Sequence, residues 1–297
     1  MKNAVIVQAR MSSSRLPKKV MKKINKVPLI ELLLKRLSKA KLIDNIIVAI
    51  PSTKDNQKLE SHIKLLGFKV FKGSEKDVLS RYYKCAKKFG IKNIIRITAD
   101  CPLSDPDLID HLIKEFNSSN LDYASNTMPP SFPDGLDVEI FTFKSLERSF
   151  IETKKNFDRE HVTSYIRNNH SFRKQNISSS KNYSFMRWTI DEKDDLKVIK
   201  NIFNNFYPRT DFSWKDVIKL WQKKPYLFSA NKAFDRDSGL KKSQEQELWE
   251  KAQKIIPGGN MLLSKNPNLF LPGKWPTYFK KAKGCYVWGI DGKKYID

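Results

Sequence analysis

Ala4-Val5-Ile6-Val7-Gln8-Ala9-Arg10-Met11-Ser12-Ser13-Ser14-Arg15-Leu16-Pro17-Lys18-Lys19 is the stretch on which the rest of the chain turns. Its apolar start has the length of a β-strand and breaks into a loop of serines, two arginines, a proline and paired lysines. A helical pattern then opens at Pro28-Leu29-Ile30. A loop that leaves the carboxyl end of a first strand is where open α/β sheets bind their ligands. Hydroxyls, backbone N–H groups and the cations Arg10, Arg15, Lys18 and Lys19 suit a polyphosphate. The loop lacks GxxxxGK[ST] and GxGxxG, which argues against a P-loop and a dinucleotide fingerprint. The same residues also fit a surface loop of a lysine-rich protein.

Working outward, strand patterns at Ala4–Ala9, Asn45–Ile50, Lys69–Phe71 and Asn93–Thr98 alternate with helical ones. The helical patterns cover Leu29–Ala40, Asn56–Leu66, Asp77–Phe89 and Pro106–Phe116. This order predicts a mostly parallel, Rossmann-like α/β sheet with helices on both faces. Further strands are expected at Asp122–Ser125, Asp137–Phe141 and Phe185–Ile190, and helices at Leu146–Thr153, Arg159–Asn168 and Trp214–Trp221. Another helix is expected after the acidic run Asp191-Glu192-Lys193-Asp194-Asp195, whose carboxylates suit a helix N-terminus.

A first domain is expected over 1–224, a polar linker over 225–244 and a small incomplete segment over 245–297. The last would carry a helix at Gln246–Ile256 and a hairpin turning on Asp291-Gly292. About 50 residues bury little core on their own, so this piece reads as the start of something larger.

The 297 residues carry a formal net charge of +24. The lysines are spread along nearly every predicted helix, and aromatic–basic interleaving is missing, so no dedicated nucleic-acid surface is expected. No apolar run reaches the roughly 18 residues of a membrane span. The absence of a signal-peptide pattern and the odd set Cys85, Cys101 and Cys285 suit a soluble, cytoplasmic chain with reduced thiols.

Two further stretches bear on the chemistry. Arg96-Ile97-Thr98-Ala99-Asp100-Cys101-Pro102 and Arg187-Trp188-Thr189-Ile190-Asp191 each end a strand pattern on an aspartate. Two carboxylates, one magnesium ion and a triphosphate make a nucleotidyl-transfer centre. Asp100 reads equally as a turn or cap residue, and Asp191 equally as an N-cap. Among the histidines, only His161, in Arg159-Glu160-His161-Val162-Thr163, has a suggestive setting, and a capping or packing role fits it as well.

These stretches together resemble the cytidylyltransferases that activate acidic sugars. The branch is that of spore coat polysaccharide biosynthesis protein F, related to CMP-KDO synthetase and acylneuraminate cytidylyltransferase. The opening stretch is similar to their signature. Phe71–Tyr83, Arg96–Leu103, Ser125-Asn126-Thr127, Asp134–Glu139, Arg159–Thr163 and Arg187–Asp191 follow in the family's order, over about residues 1–223.

The resemblance implies an α/β nucleotidyltransferase, usually a homodimer, in which a substrate oxygen attacks the α-phosphorus of CTP and pyrophosphate leaves. It implies a triphosphate grip by Arg10, Arg15 and Lys19, which are also the catalytic candidates. Asp100 and Asp191 match the Mg2+ ligands. Gln8, Ala9, Ser13, Ser74, Asp77, Arg81 and Asp100 join those cations as nucleotide-binding candidates. Asp137, Glu139, Glu160, His161 and Arg187 are candidates for contacting an anionic sugar. Ser12 and Lys18 stand where the family commonly has glycine.

The tail, Trp249–Gly259 with Lys283–Asp297, is similar to the opening of class III aminotransferases such as glutamate-1-semialdehyde aminomutase. The lysine and pyridoxal-phosphate pocket of that family lie beyond Asp297, so no PLP is expected in this chain. A bifunctional PLP enzyme and a basic nucleic-acid-binding module are the competing readings.

Overall fold

A computed structural model of the chain describes residues 2–234, 236, 244–260, 266, 269, 277–290 and 292–296. Two compact units are present, Met1–Arg236 and Asp237–Asp297. In chain order the first contains β1 (Asn3–Gln8), a small antiparallel pair β2 (Lys23–Ile24) and β3 (Val27–Pro28), α1 (Leu29–Leu37), β4 (Asn45–Pro51), α2 (Gln57–Leu65), β5 (Lys69–Gly73), α3 (Val78–Phe89), β6 (Asn93–Thr98) and α4 (Pro106–Ser118). It continues with β7 (Tyr123–Ser125), β8 (Glu139–Thr142), α5 (Phe143–Glu152), α6 (Asn156–His161), α7 (Ser164–Asn168), β9 (Lys174–Asn176), α8 (Lys193–Phe206) and α9 (Trp214–Lys223).

The sheet runs β5-β4-β1-β6-β8-β7-β9. Its pairings are parallel except where β8 runs against β6 and β7. The alternation along β1 explains the layering. Val5 and Val7 point into an apolar cluster with Ile30, Leu33 and Leu34 of α1, Leu59 of α2 and Ile109 of α4. Ala4 and Ile6 face the opposite cluster, with Leu79 and Tyr82 of α3 and Leu146 of α5. Successive side chains of a strand point to opposite faces, so a strand covered on both sides reads as an unbroken apolar run.

Because β8 is antiparallel, its first residue, Glu139, arrives at the edge where β1, β4, β5 and β6 end. That edge gathers the loops that follow β1, β5 and β6. Helix starts are set locally: the side chains of Asp77 and Asp105 accept from the N–H groups of Ser80 and Leu108, and Pro106 opens α4.

Three expectations are corrected. Phe185–Ile190 is not a strand: Phe185 is exposed in a turn, and Met186–Ile190 are buried. Its link to the sheet region is a single bridge between Arg187 and Asp134. Trp188 N donates to Asp134 O at 2.6 Å and Ile190 N to Asp100 O at 2.8 Å, so loops satisfy its backbone. Gly135 (φ 102°) permits that approach, since a Cβ there would lie 2.5 Å from the Trp188 backbone. The helix expected over Arg159–Asn168 breaks between α6 and α7 at Val162, whose φ is 63°. A β-branched residue rarely adopts that conformation, so sequence pattern gives no warning of the break. The expected linker begins inside the first unit: Pro225–Phe228 forms a 3-10 turn, and Phe228 and Asn231 are buried.

The second unit contains α10 (Gln244–Ile255) and an antiparallel sheet β10 (Phe279–Lys283), β11 (Tyr286–Gly289) and β12 (Lys294–Ile296). Gly259, at φ 77°, lies against Trp249, where a Cβ would meet the indole ring at 2.6 Å. The Tyr278 hydroxyl donates to Gly259 O at 2.9 Å. Gly292 lies between β11 and β12, but Asp291 of the expected turn lies outside the described residues. No helix among the described residues is long and apolar enough to cross a membrane.

Candidate functional site

The β1 loop is held from below. Asn56 accepts from Met11 N at 3.0 Å in a buried hydrogen bond, and Met11 O accepts from Ser13 N and Lys18 N at 3.1 Å. Lys18 has φ 58°, a left-handed conformation natural to glycine. The conformation fits the glycine that the resemblance leads one to expect there, and the chain keeps the turn with a lysine. Ser12 is exposed, with its hydroxyl on the Glu75 carboxylate.

The turn aims Lys19 into the site. Its ammonium donates to Asp100 Oδ2 (2.8 Å), Asp191 Oδ1 (2.8 Å) and the Ile190 carbonyl (2.9 Å). Arg15 reaches the other oxygen of Asp191 at 3.1 Å and Glu192 at 3.4 Å. Arg10 is exposed and makes no hydrogen bond or ion pair with the described residues. Burial alone pulls the Lys19 ammonium down and the Asp100 carboxyl up. Their pairing outweighs burial in both, so Lys19 is held above and Asp100 well below its ordinary range.

Asp100 lies in the turn after β6, and neither it nor Asp191 serves as a helix cap. Asp105, not Asp100, caps α4, and Glu192 and Asp195, not Asp191, form the capping box of α8. Asp100 and Asp191 instead share one cation, the Lys19 ammonium. A pair of carboxylates arranged so suits a hard divalent ion completed by water and phosphate oxygens. Among the described residues, no group of three or more His, Cys, Asp or Glu side chains is arranged to hold a metal.

On the β5 side, Ser74 accepts from Asp77 N at 3.0 Å, and Asp77 caps α3 and pairs with Arg159 at 2.6 Å. Arg81 is buried and donates to Ser74 O at 2.5 Å; Gly73 leaves room for its side chain, since a Cβ there would meet it at 2.9 Å. Burial and the nearby Arg10 lower the Arg81 guanidinium. Asp77 and Arg81 therefore shape the loop. Ala9 is buried and donates its N–H to Ala49 O, and Ser13 Oγ accepts from Leu16 N. Gln8, at the end of β1, holds a buried Oε1 with no hydrogen-bond partner among the described residues.

Beyond β6, Glu139 is the hub of a buried network. It pairs with Arg96 and accepts the hydroxyls of Tyr123 and Thr163, each at 2.6 Å. Arg187, with its side chain only 4% exposed, bonds Asp195 at 2.9 Å, Asp134 at 3.0 Å and Asp191 at 3.3 Å. It thus fixes Asp191 rather than facing solvent. Asp134 is pushed up to about 7 by burial and by the neighbouring Asp137 carboxylate. Asp137 pairs with Arg236. His161 packs against Phe157 with ring centres 4.3 Å apart and planes tilted by 44°, and burial lowers its imidazole. Glu160 is exposed and makes no hydrogen bond or ion pair with the described residues.

Asn56, Asn231 and Arg236 escape sequence reasoning, and Asp195 is read there only as a helix-start charge. Besides capping α8, Asp195 binds the Arg187 guanidinium together with Asn231, and Arg236 lies in the stretch expected as linker.

A family model described as "Cytidylyltransferase" matches residues 4–234. The chain is 36% identical over 234 residues to uncharacterized protein MJ1063 of Methanocaldococcus jannaschii, covering 78% of this chain and 95% of that one. It is 33% identical over 228 residues to spore coat polysaccharide biosynthesis protein SpsF of Bacillus subtilis, covering 74% and 94%. The structure of a cytidylyltransferase from Leptospira borgpetersenii superposes with a TM-score of 0.74 at 31% identity, over 77% of this chain and 97% of that one. The tail matches glutamate-1-semialdehyde 2,1-aminomutase of Nitrosospira multiformis at 41% identity over 56 residues, which is 18% of this chain and 12% of that protein.

Proposed function

This chain belongs to the cytidylyltransferase family, and from that premise we propose that it transfers CMP from CTP to an anionic sugar and releases pyrophosphate. The observation that carries this reading is the meeting of Lys19 with Asp100 and Asp191. Transfer of a nucleotidyl group needs cations on the phosphates and carboxylates to carry a metal. The β1 loop, the turn after β6 and the segment ending at Asp191 supply both at one point.

Asp100 and Asp191 would hold Mg2+, which supplies Lewis-acid charge compensation on the triphosphate. Lys19 and Arg15, freed of their carboxylate partners, would be able to bind phosphate oxygens, and Arg10 would add an exposed guanidinium able to fork onto two of them. Arg187 keeps Asp191 oriented. The unpartnered Oε1 of Gln8 is an acceptor suited to the exocyclic amine of cytosine, which uracil lacks. The acceptor sugar fits the β6–β8–β7 side of the edge, where Asp137 and His161 lie. A homodimer is the proposed assembly, to be checked by sedimentation.

The test measures pyrophosphate release over four nucleoside triphosphates and a panel of sugar acids. CTP with Mg2+ is expected to be preferred, and Asp100→Ala or Asp191→Ala to abolish turnover with the fold intact. Full activity in both variants would remove the metal assignment.

A further inference from the structure

The segment after α9 turns back toward the carboxyl edge of the sheet. Phe228 joins the apolar cluster of Val198, Ile202 and Leu220. Asn231, 4% exposed, donates to Arg187 O and Asp195 Oδ1, each at 2.9 Å. From that anchor the chain brings Arg236 to Asp137. The guanidinium pairs with the Asp137 carboxylate and donates to Phe132 O at 3.2 Å, while Arg236 O accepts from Arg187 Nη1 at 3.4 Å. The family match ends at residue 234, just short of Arg236.

The charges along this edge give the contact its meaning. Asp134, Asp137 and Glu139 rise from one short stretch. Glu139 is neutralised by Arg96 and Asp134 by Arg187, both partners internal to the matched region. Asp137 is the carboxylate most open to solvent, 37% exposed, and Arg236 is its ion-pair partner. Without that guanidinium, an incoming carboxylate would meet a bare like charge. With it, Asp137 is compensated, and the guanidinium retains N–H donors beyond the two already used.

We propose that Arg236 is a specificity-determining residue of the acceptor side, admitting a sugar that carries a carboxylate. This rests on the reading of the chain as a CTP-dependent enzyme acting on anionic sugars. Arg236 compensates Asp137 and presents its remaining donors to the acceptor's carboxylate. Lysine at 236 keeps the charge and loses the fork.

The experiment uses the full chain and its Arg236→Gln, Arg236→Lys and Arg236→Gln/Asp137→Asn variants. Calorimetry of CTP with Mg2+ reports on the nucleotide half alone. Pyrophosphate release at saturating CTP is then measured with 3-deoxy-octulosonate and N-acetylneuraminate, each against its methyl ester. Arg236→Gln is expected to raise KM for the free acids about tenfold, by like-charge repulsion at close range. KM for the esters, CTP affinity and Tm are expected to hold. Arg236→Lys should keep part of the effect, and the double variant should recover most of the loss. The inference is overturned if acid and ester change together, or if CTP affinity and Tm fall with them, as for a mere tether. It is equally overturned if the wild type binds CTP yet turns over no acid. Failure of the wild type to bind CTP would instead remove the functional reading beneath it.

Discussion

Arg10 and Arg187 mark the two ways this chain uses a guanidinium. Arg10 lies on an exposed loop and makes no hydrogen bond or ion pair with the described residues. Arg187 is almost fully enclosed and bonds three aspartates. Arg36 belongs with the second kind: 2% exposed, it donates to the carbonyls of Leu103, Ser104, Thr210 and Phe212, and burial pushes it down to about 10. Taking a charge out of water is costly unless partners surround it. A buried arginine is therefore committed to the fold, whereas an exposed and unpaired one remains available to a ligand. The comparison separates stability from catalysis and can be broken at either end.

Its largest expected effect lies at the buried end. Arg187→Leu strips partners from Asp134 and the fully buried Asp195, and removing one member of such a set costs about 4 kcal/mol. For a unit of this size that lowers Tm by about 10 °C, measurable by calorimetry. A drop of about 2 °C or less would mean that the aspartates find other partners, against the argument from burial.

Next comes Glu139→Gln. Burial draws the Glu139 carboxyl upward, but the Arg96 ion pair and the hydroxyls of Thr163 and Tyr123 overrule it and hold it below the ordinary range. A carboxyl with a depressed folded value contributes stability above its unfolded value, about 4.3, and loses it as pH falls through the folded one. The wild type should exceed Glu139→Gln by about 3 kcal/mol at neutral pH, and the gap should narrow on acidification below about pH 4. Melting curves across that range decide it, and a gap that widened in acid would reverse the assignment.

The same contrast explains what the sequence made legible. β1, β4 and β6 are apolar on both faces because helices cover both, and their patterns are unambiguous. Phe185–Ile190 has the same apolar texture but makes a single bridge, since hydrogen-bond partners are tertiary facts that composition does not carry. The break at Val162 is hidden because a β-branched residue gives no turn signal, and it is held where Thr163 reaches Glu139. In the candidate site, Arg10 and Asp100 stand out because they lie just past strand ends, and Arg15 and Lys19 because they belong to the loop that β1 opens. The Glu139 hub joins side chains from positions 96, 123 and 163, and no local pattern announces such a meeting.

At the exposed end, Arg10→Ala should reduce kcat/KM about 100-fold, the loss typical of one group that stabilises developing charge. Tm should stay nearly unchanged, because Arg10 is exposed and makes no hydrogen bond or ion pair with the described residues. Paired activity and melting measurements would expose any hidden structural role as a fall in both.

The smallest effect concerns the loop that carries these cations. Lys18 holds φ 58°, a conformation that costs an L-residue about 1–2 kcal/mol and glycine almost nothing. Glycine also has more chain freedom to lose on folding, roughly 0.5–1 kcal/mol, which offsets part of that relief. Lys18→Gly should therefore raise stability by about 0.5 kcal/mol, a Tm gain of about 1–2 °C for a unit of this size. Lys18→Ala keeps the Cβ and the strain, so it should show no such gain. Equal melting temperatures for the two variants would mean that the Met11–Lys18 turn relaxes in solution. With the turn held, Lys19 remains directed at Asp100 and Asp191 whichever residue occupies position 18, and activity should be preserved in both.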